Sequence, residues 1–532
     1  MGRTLRLSAL LAALPAIQAQ TGAGDPDIAA ITADSRQVGL GSLFVAVRGD
    51  TSDGHRFIPD AIARGAAAIV SENSHTPTPP HATASTPPHI LTRDSREALA
   101  WLAAAWHGFP ARQLIMVGVT GTDGKTTTAS LIHAILLAGG LRAGLISTVS
   151  AVIGDETLDT GFHVTTPSAL ETQAYLARMV AAGLSHCVLE VTSHGLAQHR
   201  VTACEFDVAA VTNITHEHLD YHKSYENYRA AKGQLFAALA TSAAKVGGPT
   251  KAAVVNSDDS SAPYLESLLA GEPQVRRFRY GLAPPADIWA GPVAYSPAGL
   301  EFVAYGLDFA VPVKSRLVGA YNVSNCLAAV AVTAAGLGLP PDTVSRGIAA
   351  LPGVPGRMER LDLGQTFTAI VDFAHTPNAL RRTLETARQM LPPGSEARVI
   401  AVFGSAGLRD VEKRRLMAET SAALADISIL TAEDPRTESL ESILAMMAEG
   451  ARRQGGLEGQ TFYRVPDRRE ALRLAVALAR PGDMVLACGK GHEQSMAFGT
   501  VEFPWDDRVA LRAALTEHLG LPGPDMPFLP TP

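Results

Sequence analysis

The stretch that most constrains this chain is Val117-Gly118-Val119-Thr120-Gly121-Thr122-Asp123-Gly124-Lys125-Thr126-Thr127-Thr128. An apolar run passes into a glycine-rich turn and then into a sequence that reads as a helix beginning near Lys125. Strands that alternate with crossover helices pair in parallel and are covered on both faces, so the motif predicts an α/β architecture. The turn also has a chemical use. Backbone N–H groups of such a loop, with the helix N-terminus behind it, cradle phosphate oxygens. Lys125 would reach the terminal phosphates, and the Thr126 hydroxyl would bind Mg²⁺. The strict G-x-x-x-x-G-K-[ST] spacing fails, because Val119 stands where the first glycine belongs. What remains is a shorter G-x-x-G-K-T, for which a structural Gly-rich turn is the competing reading.

Around this motif, apolar runs such as Cys187-Val188-Leu189-Glu190-Val191 and Val208-Ala209-Ala210-Val211-Thr212 alternate with Ala-rich helical stretches from about 111 to 354. Two prolines and two glycines in Leu351-Pro352-Gly353-Val354-Pro355-Gly356 mark a boundary. The pattern then restarts, with runs at 369–373, 399–404, 427–431 and 484–489, as a second doubly wound sheet whose ligands belong beyond the carboxyl ends of its strands. Before residue 110, short runs at 42–47 and 66–70 bounded by Gly, Asp or Pro predict a small α/β unit, and 75–89, rich in Pro, Thr and Ser, an exposed loop. The chain of 532 residues is therefore divided into three domains, 1–110, 111–354 and 355–532.

Composition excludes some classes. A formal net charge of -7 argues against nucleic-acid binding, which selects basic surfaces. The four cysteines show no C-x-x-C spacing, so neither a disulfide framework nor a zinc knuckle is expected, and a reducing compartment is. No run approaches the ~18 apolar residues of a membrane span. Residues 1–20, with Arg3 and Arg6 before a short Leu/Ala stretch, read either as a short signal peptide or as one short amphipathic helix.

Further chemistry clusters after strands. Glu190 ends an apolar run, where a carboxylate is costly unless it is paired or ligates a metal. Thr192-Ser193-His194-Gly195 follows, then Gln198-His199-Arg200. In His216-Glu217-His218-Leu219-Asp220-Tyr221-His222, Asp220 replaces the second histidine of H-E-x-x-H, so a zincin is not expected. One or two of these histidines helping to hold Mg²⁺, a transition-metal site and a solvated loop all remain open. Lys232 reads as a plain helix lysine, exposed by default.

Together these segments resemble the Mur ligases over nearly the whole chain, and within them the enzymes that add the third residue of the peptidoglycan stem peptide. Ala33-Asp34-Ser35-Arg36 and Gly41-Ser42-Leu43-Phe44-Val45-Ala46-Val47-Arg48-Gly49 look like the family's UDP-binding domain, with Ser35 near the uracil. Gly121, Thr122, Asp123, Gly124, Lys125, Thr126 and Thr127 are similar to its ATP loop, Asp123 standing where Asn is usual. Thr165 and Thr166, in His163-Val164-Thr165-Thr166-Pro167, with Thr192, Gln198 and Arg200, resemble the residues that hold the sugar-peptide substrate. Asn322 and Asn325, Arg357 in Gly356-Arg357-Met358-Glu359, and Asp372 and His375 in Asp372-Phe373-Ala374-His375-Thr376-Pro377 match motifs around the adenine and ribose, with Asp372 on the ribose. The resemblance also implies that Lys232 is carbamylated and holds Mg²⁺ together with Thr126, Glu190 and His218. Lys125, Lys232, Glu190 and His218 would then be the catalytic set.

The fold so implied is α/β in three domains: a small UDP-binding domain, a central P-loop ATPase-type parallel sheet and a C-terminal Rossmann-like domain. The implied reaction adds a diamino acid to UDP-N-acetylmuramoyl-L-alanyl-D-glutamate through an acyl phosphate, using ATP and Mg²⁺. Its partners are small-molecule substrates only, with neither nucleic acid nor membrane, in a cytoplasmic monomer. Arg409 would bind the α-carboxylate of the entering amino acid, and Gly489 and Glu493 its far end. The family's usual Asp-Asn-Pro-Arg for meso-diaminopimelate is here Glu433-Asp434-Pro435-Arg436. Arg436 suits a distal carboxylate, whereas Asp434 suits a distal ammonium, so meso-diaminopimelate and lysine or ornithine both stay open. Alternatives are another Mur-type or folylpolyglutamate-synthase-like ligase, or a P-loop NTPase without ligase activity.

Overall fold

Val117, Val119, Val188, Leu189, Val208 and Val211 are all fully buried. They lie on parallel strands, where side chains of both faces must find apolar cover. The computed structural model describes residues 3–49, 52–72, 87–158, 166–215, 219–245, 247–296, 298–392 and 394–531. Its chain forms two units, one reaching Trp289 and including Leu327–Val344, the other made of Ala290–Cys326 and Ser345–Pro532.

In the first unit, the N-terminal sheet runs in the order Ala19–Thr21, His89–Leu91, Ala66–Ser71, Ser42–Val45, Ala30–Thr32. It is parallel except for Ala19–Thr21 at one edge. Leu7, Leu10 and Leu11 of the helix Leu7–Leu11 are buried in its core with Ile28, Val45 and Leu102, which is the amphipathic reading of the first twenty residues. The helix Ser95–Trp106 starts at an Asp94 cap, whose carboxylate accepts from Arg96 N and Glu97 N.

The central sheet of this unit places Ile115–Thr120 between His186–Glu190 and Val208–Val211. Ala143–Ile146 lies beyond the first neighbour, and Ala252–Asn256 and Arg276–Gly281 beyond the second, all parallel. The carboxyl ends of the three middle strands thus deliver Thr120, Glu190 and Val211 to one rim. The helix Lys125–Ala138 springs from that rim directly after the Gly-rich turn.

The second unit contains a six-stranded sheet in the order Glu359–Leu361, Thr368–Asp372, Met484–Cys488, Val399–Phe403, Ile427–Leu430, Phe462–Arg464. Only the edge strand Glu359–Leu361 is antiparallel. A buried Arg468–Asp507 ion pair, with Nη2 2.6 Å from Oδ2, also receives the Trp505 indole N–H at 2.8 Å on Oδ1. Arg468 donates further to Ala432 O and Cys488 O. The pair thereby fastens two strand ends to the helix Asp507–Leu519.

Candidate active site

The Gly-rich turn is held from the neighbouring strand end. Thr122 N donates to Asn213 O at 2.7 Å and Asp123 N to Asn213 Oδ1 at 3.0 Å. Thr212 Oγ1 donates to Asp123 O at 2.5 Å, and Thr215 N to Thr122 Oγ1 at 2.9 Å. Gly121, at φ 148°, has no room for a Cβ, which would overlap Thr212 Oγ1, and Gly124 turns into the helix at φ 80°. The loop is thus fixed before any phosphate arrives. Lys125 Nζ donates to Thr122 O at 2.8 Å.

Glu190 is buried, and the structure supplies the partners such a carboxylate needs. Its Oε2 accepts from Thr126 Oγ1 and from Thr148 N, each at 3.0 Å. Lys232 corrects the expectation of an exposed lysine: only 2% exposed, its Nζ donates to Gly121 O at 2.6 Å and lies 4.6 Å from the centre of the Tyr228 ring. The helix Tyr225–Thr241 buries Tyr228, Lys232, Leu235 and Leu239 along one stripe. A lysine at helical spacing within an apolar stripe is the signal that sequence reasoning passed over. His218 and Thr165 lie outside the described residues, as does His216. Among the described residues, no group of three or more His, Cys, Asp and Glu side chains is placed to hold a metal.

Thr166, Thr192, Gln198 and Arg200 form one hydrogen-bonded network beside Glu190. Thr166 Oγ1 lies 2.9 Å from Thr192 Oγ1 and accepts from Thr192 N at 3.1 Å. Arg200 donates through Nη1 to Thr166 O at 2.7 Å and through Nη2 to Gln198 Oε1 at 2.6 Å. Gln198 Nε2 in turn donates to the Tyr221 hydroxyl at 3.3 Å. Ser35 opens a short 3₁₀ turn, half-buried, after Asp34, whose carboxylate accepts from Arg36. That pairing lowers the Asp34 pKa to about 2.

In the second unit, Asn325 Nδ2 donates to Asn322 Oδ1 at 2.8 Å, and Asn322 Nδ2 to Val318 O at 2.7 Å. Asp372 accepts from Met358 N at 2.8 Å, Ala374 N at 3.0 Å and Thr383 Oγ1 at 2.9 Å. Three internal donors make it first a brace for its own loop. The Phe373 ring is flanked by Arg357, at 4.5 Å, by His375, at 4.4 Å, and by His492, at 4.8 Å. Burial, and then Arg357, holds the His492 pKa down to about 3.

At the other strand ends, Arg409 is exposed and Arg436 half-buried, its Nη1 donating to Gly407 O at 3.2 Å. The loop carrying Arg409 is tied by Glu438, which accepts from Leu408 N and from the buried Arg414; these contacts lower its pKa to about 2. Asp434 departs from the expectation of a carboxylate open to a distal ammonium: Lys490 Nζ and Ala497 N donate to its Oδ1 at 3.0 and 2.9 Å. Glu493 Oε2 lies 2.5 Å from the same ammonium. Glu433 and Ser405, which lie in the motifs around the entering amino acid but were given no role, and Ser495 bring buried side-chain oxygens without hydrogen-bond partners to these strand ends. Burial raises the Glu433 pKa. Gly489 takes a φ of 110°, which disfavours any side chain, and a Cβ there would lie 2.5 Å from Glu433 Oε2.

Three family descriptions match successive segments: "Mur ligase family, catalytic domain" over 27–107, "Mur ligase middle domain" over 119–333 and "Mur ligase, glutamate ligase domain" over 356–491. The chain is similar to UDP-N-acetylmuramyl-tripeptide synthetase of Roseiflexus sp. (strain RS-1), with 44% identity over 93% of this chain and 95% of that protein. It is 40% identical to UDP-N-acetylmuramoyl-L-alanyl-D-glutamate--2,6-diaminopimelate ligase of Geobacillus kaustophilus (strain HTA426), over 97% of this chain and all 100% of the relative. A solved structure of a UDP-N-acetylmuramoyl-L-alanyl-D-glutamate--2,6-diaminopimelate ligase superposes with a TM-score of 0.67 at 29% identity, covering 97% of this chain and 100% of that one. With its phosphate-type loop, buried carboxylate and paired parallel sheets in these places, the chain belongs to the Mur ligase family of ATP-dependent ligases.

Proposed function

We propose that the chain joins a diamino acid to UDP-N-acetylmuramoyl-L-alanyl-D-glutamate in peptidoglycan precursor synthesis, with ATP going to ADP and phosphate. The observation that carries this reading is the preformed loop Gly121–Thr127 beside buried Glu190, with Thr126 Oγ1 3.0 Å from the carboxylate. Helix and loop N–H groups receive the ATP phosphates, and Lys125 spreads charge from the phosphoryl group as it moves to the substrate carboxylate. The diamino acid's amine then attacks the acyl carbon, and phosphate leaves as the amide forms.

Oxygen donors suit Mg²⁺, and the hydroxyl of Thr126 and the carboxylate of Glu190 are such donors. They would hold it, joined by His218 and by Lys232 as a carbamate. Lys232 as an ammonium would repel a cation; a carbamate would supply two oxygens there, and its remaining N–H could still donate to Gly121 O. When bound, Mg²⁺ would neutralise phosphate charge. Gln198 and Arg200, with Thr166 and Thr192, orient the sugar-peptide carboxylate, and Ser35 contacts the uracil. Asn322, Asn325, Arg357, Asp372 and His375 serve the adenine and ribose. Arg409, Arg436, Gly489 and Glu493 receive the amino acid.

The division at about 110 and 354 is part of this proposal, supported by the three matched segments. We place the enzyme in the cytoplasm as a monomer. Its four cysteines are free and buried, which fits a reducing compartment, and no described helix is long and apolar enough to cross a membrane. The Geobacillus relative's name gives 2,6-diaminopimelate as the amino acid; the Roseiflexus name leaves it open.

The test is phosphate release from ATP with UDP-N-acetylmuramoyl-L-alanyl-D-glutamate and a panel of amino acids. Release should need both substrates and vanish in Lys125→Ala. Robust hydrolysis by the wild type with ATP alone would favour an NTPase without ligase activity.

A further inference from the structure

The parallel ladder between Ile115–Thr120 and Val208–Val211 ends with the pair Val211 and Thr120. Three of the next four residues nevertheless hold the Gly-rich turn. Thr212 Oγ1 and Asn213 Nδ2 donate to Asp123 O, Asn213 accepts from Thr122 N and Asp123 N, and Thr215 N donates to Thr122 Oγ1. Thr212 is still fastened by the sheet, with its N–H on Thr120 O at 3.0 Å and its carbonyl accepting from Asn256 Nδ2 at 2.6 Å and the Tyr280 hydroxyl at 3.2 Å. Ile214 lies three residues past the last ladder pair and is held by side chains instead. Its N–H donates to Asp259 Oδ2 at 3.1 Å, and its carbonyl accepts from the Tyr225 hydroxyl at 3.2 Å. Ile214 is only 2% exposed, so its N–H would have little access to water if Asp259 were lost.

Asp259 lies between the strand Ala252–Asn256 and the helix Ala262–Ser267. Its Oδ1 accepts from Ser261 N at 2.9 Å and from Ser261 Oγ at 2.5 Å. Its own N–H donates to Asn256 O at 3.2 Å, and its carbonyl accepts from Ala262 N at 3.1 Å. One carboxylate oxygen therefore fixes the side chain in its own loop, and the other reaches across to Ile214. Asp258, one residue earlier, is used differently: its Oδ2 accepts from Leu282 N at 2.7 Å.

The contacts run from Asp259 to Ile214, and from Asn213 and Thr215 on either side of it to Thr122 and Asp123. Gly124 and the helix Lys125–Ala138 follow directly. The first turn of that helix carries N–H groups without helical acceptors, and their position decides how well phosphate is received. We propose that Asp259 is a positioning residue for ATP: by holding Ile214 N it keeps Asn213 and Thr215 where they set the Gly-rich turn in its phosphate-binding shape. This rests on the assignment of Gly121–Thr127 to ATP.

The experiment titrates the full-length enzyme with ADP in the presence of Mg²⁺, and measures kcat and the KM values for ATP, the UDP-sugar-peptide and the amino acid. Asp259→Ala should weaken ADP binding and raise KM for ATP by about tenfold, the loss of one hydrogen bond from a charged acceptor. Thr212 keeps its own contacts, so binding should not vanish. The KM values for the other two substrates should change by less than about threefold. A merely structural role would lower the active fraction, and with it kcat, while leaving both nucleotide constants unchanged. Asp259→Asn keeps a neutral acceptor and should weaken ADP by about threefold. Ser261→Ala and Asp258→Ala, which leave the Ile214 bond intact, should each stay within about twofold of the wild type. Wild-type ADP affinity in a folded Asp259→Ala would overturn the proposal, as would an equal loss in Asp258→Ala. If Asp259→Ala does not fold, Asp259→Asn decides: a threefold loss upholds the proposal and wild-type affinity overturns it. A wild type that binds neither ADP nor ATP overturns the assignment of the loop itself, and the inference with it.

Discussion

Replacing Lys232 by Met keeps an unbranched stem in the apolar stripe of its helix and removes only the charged tip. Among the contacts that go are the Nζ hydrogen bond to Gly121 O at 2.6 Å and the approach to the Tyr228 ring at 4.6 Å. A hydrogen bond from a charged donor contributes about 1.5–3 kcal/mol, and a desolvated cation–π contact up to about 2 kcal/mol. Against them stands the desolvation of a buried cation, which Met relieves. The net expectation is a loss of about 1–3 kcal/mol, read as a shift of the urea midpoint at unchanged slope. Activity should fall far more. If Lys232 works as a carbamate, its loss removes an electrostatic stabiliser of the moving phosphoryl group, an effect of about 10²–10³ in kcat. Lys232→Ala, which leaves space where the stem was, should recover part of its turnover when formate or acetate is added; Lys232→Met, which fills the space, should not. A stable Lys232→Met enzyme with near-normal turnover would refute the reasoning, because the side chain would then matter only to packing.

Two further outcomes are expected. The folded-state pKa of His492 is lowered to about 3, against an unfolded value near 6.5, so folding favours the neutral ring. Its stabilising contribution is complete above pH ~6.5 and is lost as pH falls toward 3, by up to about 1.4 kcal/mol per unit. Urea melts of wild type and His492→Asn between pH 7 and 4 should converge as pH falls; parallel curves would show that His492 does not titrate this way. Gly489→Ala would set a Cβ 2.5 Å from Glu433 Oε2 at a φ of 110°, costing about 1–3 kcal/mol of stability, and it should raise KM for the amino acid. Near-wild-type melting would mean that the Glu433 side chain moves aside at little cost.

The strands were legible because buried parallel strands need uninterrupted apolar runs, as at Val208–Val211 and Val399–Phe403. The loop Gly121–Thr127 was legible because backbone geometry demands glycine at Gly121 and Gly124 and chemistry demands Lys125 and Thr126. Lys232 was half legible: its place in the stripe of Tyr228, Leu235 and Leu239 was in the sequence, but lysine on a helix is usually exposed. The pairing of Asp434 with Lys490 was not legible, since 56 residues separate partners that meet only when two strand ends come together. Glu433 was hidden for the same reason. Gly404 leaves room for it, since a Cβ there would lie 2.6 Å from Glu433 Cβ.

Some cations of the chain sit on carboxylates and others on backbone carbonyls alone. Arg468 on Asp507, Arg398 on Asp483 and Arg414 on Glu438 sit on carboxylates at 2.6 Å, so their charges are cancelled where they stand and hold strand ends and helices together. Lys125 and Arg436 instead donate to backbone carbonyls, those of Thr122 and Gly407. A neutral acceptor orients a cation without cancelling its field, so the group stays attractive to a phosphate or carboxylate that arrives later. Pre-orientation of this kind lowers the reorganisation that binding and phosphoryl transfer would otherwise require. Lys125 is assigned here to ATP and Arg436 to the amino acid, whereas Arg142, Arg276 and Arg277 also donate to backbone carbonyls and have no such assignment. Lys490 is the instructive exception. It stands near Arg436 at the same strand ends, yet it is paired with two carboxylates, Asp434 and Glu493. A carbonyl beneath a cation is therefore compatible with a substrate role but does not assign one, and the assignment rests on where the loop and strand ends place each group.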